Sequence, residues 1–203
     1  MDVVIGADGQ SRCAWAAREP ETTYHDTEWG FPLAGDNALF ERVCLEGFQS
    51  GLSWRTILTK RENFRRAFAG FDIPTVARFT DADVARLLGN AGIVRHRGKI
   101  EASINNARRA EELIDEQGSL ESYFWDHAPH QAHEPGSRTT SPESVALSKD
   151  LKKRGWRFVG PTTMFALMQA AGMVNDHAHE CVIRAKVDAA ITAYNGGADA
   201  LER

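Results

Sequence analysis

The stretch Leu151-Lys-Lys-Arg-Gly-Trp-Arg-Phe-Val-Gly-Pro-Thr-Thr163 reads as two helices meeting at a short turn bounded by Gly155 and Gly160. Ahead of it, Ser141-Pro142 opens a helix with proline in the first turn, where a missing N–H costs nothing. Lys152 and Lys153 fall in its last turn and suit the negative end of the helix, and Gly155 closes it. A further helix follows from about Pro161 to Ala171. Backbone N–H groups of such a turn, at the start of the next helix, can hold a phosphate. Lys152, Lys153 and Arg157 add a salt-sensitive attraction for the same anion. A plain helix–helix connection has the same ingredients, so at this point the stretch sets an architecture and leaves the partner open.

Helical periodicity continues outward in both directions, and no convincing alternating strand pattern appears. Asp36 is placed as the cap of a helix carrying Leu39, Phe40, Val43 and Phe48. A second helix starts near Ser53 and turns Trp54, Ile57, Leu58, Phe64 and Phe68 inward. Thr80-Asp-Ala-Asp83 has the form of a capping box, with Asp in place of the usual Glu. The longest helix is expected from about Gly98 to Gln117, with Gly118 as its stop. His127 to Thr140, with Pro129, Pro135 and Gly136, is a polar connector that forms an ordered or mobile loop. The stretch from about Glu180 to Ala193 reads as helix, and Asn195-Gly196-Gly197 as its fraying end. These readings predict an all-α chain. They divide it into a flexible lead over 1–12, one domain over 13–193 with its two-helix hairpin near 147–171, and a frayed tail over 194–203.

Bulk properties narrow the class of protein. The 203 residues, 42% hydrophobic and 26% charged, match an ordinary globular chain rather than a disordered one. No apolar run approaches the roughly 20 residues that span a bilayer, and the opening residues lack the basic start of a signal peptide. An intracellular, cytoplasmic protein with no membrane partner is expected. Cys13, Cys44 and Cys181 are too few and odd in number for a disulfide framework. The net charge of −4 argues mildly against nucleic acid. Segregation of charge weakens that argument, because Arg95, Arg97, Lys99, Arg108 and Arg109 form one basic cluster and Lys149 to Arg157 another.

Two groups of side chains invite a chemical reading. Cys13 and His25 lie near one end of the chain, and His177 and Cys181 near the other. If His177-Ala-His-Glu-Cys181 is helical, its first and last residues share a face. Four such nitrogen and sulfur donors would fill a structural zinc shell and couple metal affinity to folding. Buried thiols beside surface histidines are the competing reading, and His179 competes with His177. The second group is Tyr24, Trp29, Glu46 and Trp54. The run Cys44-Leu-Glu-Gly-Phe-Gln-Ser-Gly-Leu-Ser-Trp54 sets a carboxylate among apolar residues, where burial is costly unless the charge is matched. A cationic aromatic ligand would match it, with the rings stacking on its faces. A solvated Glu46 on an exposed turn is the plainer alternative.

Longer stretches carry a resemblance. Cys13-Ala-Trp15, Tyr24-His-Asp-Thr-Glu-Trp-Gly30, the run Cys44 to Trp54 and Lys60-Arg-Glu-Asn-Phe64 are followed by Ala91-Gly-Ile-Val-Arg-His-Arg-Gly-Lys-Ile100. Leu147 to Gly155, Phe158-Val-Gly160 and Val174-Asn-Asp-His177 complete the series. In this order they resemble the 3-methyladenine DNA glycosylase I family, within the helix-hairpin-helix glycosylase superfamily, over most of Cys13 to Cys181. The resemblance implies two helical lobes and one structural Zn2+ per chain on Cys13, His25, His177 and Cys181. It implies a base pocket of Trp15, Tyr24, Glu46 and Trp54, with Glu46 as the catalytic residue. The hairpin at Gly155–Gly160 would grip the DNA backbone with Lys152, Lys153 and Arg157, and Gln49 to Leu52, Gly51 included, would wedge into the base stack. Phe48 departs from the pattern, standing where a glutamine is expected. Met1–Arg12 is a longer lead, and the extension past Cys181 differs from the family's cysteine-rich end.

The expected activity is excision of 3-methyladenine from alkylated double-stranded DNA by a monomer working at the nucleoid. Aligning on His177 puts Asn175 where many relatives carry a catalytic aspartate, so little acid–base chemistry is expected. No lysine stands in a nucleophile's setting, which argues for a monofunctional enzyme. The readings that compete are a zinc-stabilised DNA-binding or damage-sensing module, a glycosylase of broader alkylation range, and a metal-dependent hydrolase.

Overall fold

Short polar side chains set the helix starts. Ser53 accepts a hydrogen bond from the Thr56 N–H at 3.2 Å, Asp72 from Thr75 at 3.1 Å, and Ser119 from Ser122 at 2.9 Å. Thr80 and Asp83 form the expected capping box, and Ser141 and Ser144 form another. Each satisfies N–H groups that the first helical turn leaves without a partner. The computed structural model describes residues 1–129, 134–136 and 138–201. It is mostly helical, with one two-stranded sheet among the described residues. His130 and His133 of the polar connector lie outside the described residues.

The chain forms two compact units. The first takes its described residues from 1–33, 128–139 and 168–203. Here β1 (Val3–Ile5) pairs antiparallel with β2 (Ser11–Cys13), Val3 facing Cys13. The expected flexible lead is therefore a hairpin. Strands of three residues are too short to show alternation, and the turn between them rests on Arg12, which binds Asp8 at 2.8 Å and Asp26 at 2.8 Å. A 3-10 turn (Ala14–Ala16) leads to α1 (Glu21–Thr27). The Val182 N–H donates to Ser11 O at 2.9 Å and the Leu33 N–H to Ala171 O at 3.0 Å, which brings both ends of the chain together. At Gly172, with φ +78°, a side chain would fall 2.5 Å from the Pro32 nitrogen, so only glycine fits.

The second unit spans 34–127 and 140–167. It begins with α2 (Asp36–Gln49), α3 (Trp54–Ala67), α4 (Ile73–Ala77) and α5 (Asp81–Gly89). It continues with α6 (Arg97–Gln117), α7 (Leu120–Trp125) and α8 (Pro142–Lys153), and α9 (Pro161–Ala170) follows. Gly35, not Asp36, precedes α2, and the Asp36 carboxylate instead accepts the Glu121 N–H at 3.1 Å. The core is an aromatic stack in which Phe48 lies 4.6 Å from Phe64 and 5.9 Å from Phe68, ring centre to ring centre. Phe48, where the resemblance leads one to expect a glutamine, is 1% exposed and packs in this core rather than at the surface. The last helix, α10 (Arg184–Leu201), starts later than the sequence predicts and continues through residues expected to fray. His177 to Cys181 is a turn rather than a helix, closed by the Cys181 N–H donating to Ala178 O at 3.0 Å.

Candidate functional site

In the first unit, Cys13 ends β2, His25 occupies the last turn of α1, and Cys181 ends the turn just described. All three are buried, and their ligating atoms lie within 4.8 Å of one another. His25 Nε2 stands 3.5 Å from Cys181 Sγ, and the Ala178 N–H donates to Cys13 Sγ at 3.4 Å. The shared hydrogen bond between the two sulfurs raises the Cys13 thiol and lowers Cys181, so the pair holds one proton more readily than two. The other ring nitrogen of His25 meets Asp26 at 2.8 Å, which aims Nε2 at the sulfurs. These three residues form a group able to hold a metal ion.

His177 stands beside that group, its ring centre 4.8 Å from that of His25. Its Nδ1 meets Asn175 Oδ1 at 3.0 Å, and Asn175 is itself held by Asp188 at 2.6 Å. The remaining nitrogen, Nε2, is buried with no hydrogen bond of normal geometry among the described residues. Burial, reinforced by the charge of His25, pushes the ring down to about 4, so it stays neutral. His179, the competing ligand, is an exposed side chain bonded to Glu134 at 2.8 Å. Trp29 packs over the histidines, 4.5 Å from His177 and 6.1 Å from His25, ring centre to ring centre. Trp15 adds an edge contact 5.0 Å from Trp29 and stands 6.3 Å from Tyr24. Asp26 and the orienting role of Asn175 are absent from the sequence-based site, and Trp29, grouped there with Glu46 and Trp54, packs instead against the histidines. An acid directly after His25 was the available signal for the first of them.

In the second unit, Glu46 lies in the last turns of α2 and is 5% exposed. Its carboxylate makes no hydrogen bond among the described residues. Burial pushes it up to about 7, opposed by the charge of Arg42 one turn earlier. Arg42 in turn lies 5.7 Å from the centre of the Trp54 ring at the start of α3. The plainer expectation of a solvated Glu46 is thereby set aside. Between these helices Gly51 takes φ +77°, and Leu52 is exposed. Gly47 brings α2 against the turn after α8, where a side chain at this position would meet Phe158 Cβ at 3.4 Å.

That turn follows the predicted boundaries. Gly155 adopts φ +84°, the buried Trp156 donates its N–H to Leu151 O at 2.9 Å, and Pro161 opens α9. Ser148 Oγ donates to Val159 O at 2.6 Å. Lys152, Lys153, Arg157 and Phe158 are exposed. The group Trp15 and Tyr24 belongs to the first unit, and Glu46, Trp54, Gly51, Leu52 and the turn belong to the second.

The family model described as methyladenine glycosylase matches residues 15–185. DNA-3-methyladenine glycosylase 1 of Escherichia coli is 46% identical over 177 residues, 84% of this chain and 95% of that protein. DNA-3-methyladenine glycosylase of Haemophilus influenzae is 41% identical over 178 residues, 84% of this chain and 96% of that protein. A solved structure of 3-methyladenine DNA glycosylase I from Staphylococcus aureus, which concerns 3-methyladenine recognition, superposes with a TM-score of 0.80 at 36% identity. That likeness covers 85% of this chain and 96% of the other. On the matched residues and the shared fold, the chain belongs to the methyladenine glycosylase family.

Proposed function

We propose that this chain excises 3-methyladenine from alkylated double-stranded DNA as a monofunctional, monomeric glycosylase of base-excision repair, acting in the cytoplasm on nucleoid DNA. The observation that carries the reading is Glu46: a carboxyl group buried in α2, pushed up to about 7, with the Trp54 ring and Arg42 nearby. Such a group needs a cation, and adenine methylated at N3 within DNA is one. The lesion would draw Glu46 into its charged form and donate hydrogen bonds to it from the adenine edge, while the Trp54 ring contacts the base. Neutral adenine offers no charge and gains less.

The chemistry asks little more of the protein. When N9–C1′ breaks, its electron pair neutralises the cationic base, and water adds to C1′ with loss of a proton to solvent. No acid has to protonate the leaving group. Asn175, where an aspartate acts in many relatives, is occupied in holding His177, and Asp176 bonds the Gly136 N–H at 2.8 Å. Most of the work is extrusion of the base, at a cost of a few kcal/mol. Leu52, presented by Gly51, serves as the wedge. Gly155 to Gly160, with Lys152, Lys153 and Arg157, takes the phosphates as a helix-hairpin-helix motif.

Two thiols and two imidazoles, all buried, suit the tetrahedral shell of zinc, and the orphaned Nε2 of His177 is the fourth donor. We assign Cys13, His25, His177 and Cys181 as its ligands. A closed shell of this kind supplies folding energy and leaves no open position for a substrate. The pocket is tested by titrating free 3-methyladenine against tryptophan fluorescence. Saturable binding that disappears in Glu46→Gln supports it, whereas a protein that only grips the DNA backbone gives no saturable signal.

A further inference from the structure

Helix α6 reaches both segments of the second unit assigned above to DNA. Lys99 and Asn106 stand seven residues apart, two turns along one face of this helix. Lys99 Nζ donates to Phe48 O at 2.9 Å and to Ser50 O at 2.6 Å. Those carbonyls lie at the C-terminal end of α2, where a helix leaves acceptors unsatisfied, and they directly precede Gly51 and Leu52. The lysine is 7% exposed, an uncommon place for an ammonium group, and no acidic partner accompanies its two carbonyls among the described residues.

Asn106, 3% exposed, grips the other segment at two points. Its Oδ1 accepts the Arg157 N–H at 2.8 Å, and its Nδ2 donates to Arg157 O at 2.9 Å. A carboxamide bound this way holds both polar groups of one residue, as a neighbouring strand would. Asn105 Nδ2 adds a bond to Gly155 O at 2.8 Å. Directly after the clamped residue, Phe158 takes φ +56°. A bulky side chain persists in that left-handed region only where the surroundings dictate the backbone. Ser103, between the two residues on α6, donates its hydroxyl to Lys99 O at 3.1 Å and keeps the seam continuous.

We propose that Lys99 and Asn106 are positioning residues for base extrusion: one face of α6 sets the Leu52 turn through Lys99 and the Gly155–Gly160 hairpin through Asn106. Neither side chain contacts base or phosphate. The inference rests on the reading of these two segments as DNA-facing, and it identifies α6 as the common ruler that fixes their geometry.

The test uses the full chain and three readouts: thermal unfolding, binding of free 3-methyladenine, and binding to duplex carrying a stable abasic-site analogue beside 2-aminopurine. Lys99→Met and Asn106→Leu are each expected to weaken duplex binding about tenfold. Free-base affinity stays at the wild-type value in both. Lys99→Met also loses most of the 2-aminopurine signal that reports wedge insertion, and Lys99→Arg restores it. Should Lys99→Met fail to fold, Lys99→Gln, which keeps a donor, carries the same expectation. Duplex binding and 2-aminopurine signals unchanged in both variants overturn the proposal, as does a parallel loss of free-base binding, which marks a merely structural role. Leu52→Ala and Lys152→Ala/Lys153→Ala separate the underlying reading. If they too leave duplex binding unchanged, the segments do not face DNA.

Discussion

Glu46 binds its proton too tightly for a carboxyl group, because it is buried at the end of α2 with only the charge of Arg42 in opposition. Its ordinary value near 4.5 rises to about 7, a gap equivalent to about 3 kcal/mol. Between those values Glu46 itself therefore holds its proton more fully in the folded chain than in the unfolded one. Stability from this residue is fully present below pH 4.5 and is lost as pH rises through 7. Glu46→Gln is accordingly expected to unfold at a higher temperature than wild type at pH 8, by up to about 3 kcal/mol, and to lose that advantage near pH 4.5. The same variant should excise the lesion at least about 100-fold more slowly. Excision by the wild type should rise as pH passes through 7 and Glu46 ionises, a profile that glutamine flattens. A chemical denaturation series at the two pH values, with a rate profile beside it, checks both. The oddity of Glu46 was legible, since a carboxylate interrupts an apolar run. Its opponent Arg42 was not, because an arginine one turn away reads as an ordinary surface partner until burial is known.

At the scale of elements, the turn between α8 and α9 carries the DNA-facing assignment, and it was the most readable part of the chain. Ser141 caps α8 with its side chain, Pro142 and Pro161 sit in first turns where a missing N–H costs nothing, and Gly155 takes the positive φ that ends α8. The β1–β2 hairpin was not readable, because three-residue strands have no period to detect. The turn over His177 to Cys181 was missed for a different reason: its conformation follows from long-range contacts to Ser11 and Cys13, which no local pattern encodes. The clamp of Asn106 on Arg157 is of the same kind. If Lys152 and Lys153 meet phosphates, replacing either by alanine lowers the slope of log affinity against log salt by about 1, uniformly across sequences. An unchanged slope would remove that lysine from the interface.

At the scale of the whole molecule, residues more than 150 positions apart meet in the first unit, since His25 Nε2 lies 3.5 Å from Cys181 Sγ. A metal held there would tie the two ends of the chain. One zinc per chain is expected by elemental analysis, and its removal by a chelator should lower the unfolding temperature by about 10 °C. Cys181→Ala should show the same temperature without chelator, and a metal-free protein as stable as the native one would refute the assignment. The four proposed ligands were picked out only through family resemblance, because Cys13 and His25 have no standard spacing; of these the structure groups Cys13, His25 and Cys181. The order of helices, by contrast, followed from periodicity and caps. The account as a whole rests on the identity of the released base. Purified protein incubated with methylated duplex DNA should release 3-methyladenine well above the uncatalysed rate while 7-methylguanine stays at background, as resolved by chromatography. Release of neither base by a folded, zinc-loaded sample would contradict the account and leave a DNA-binding module in its place.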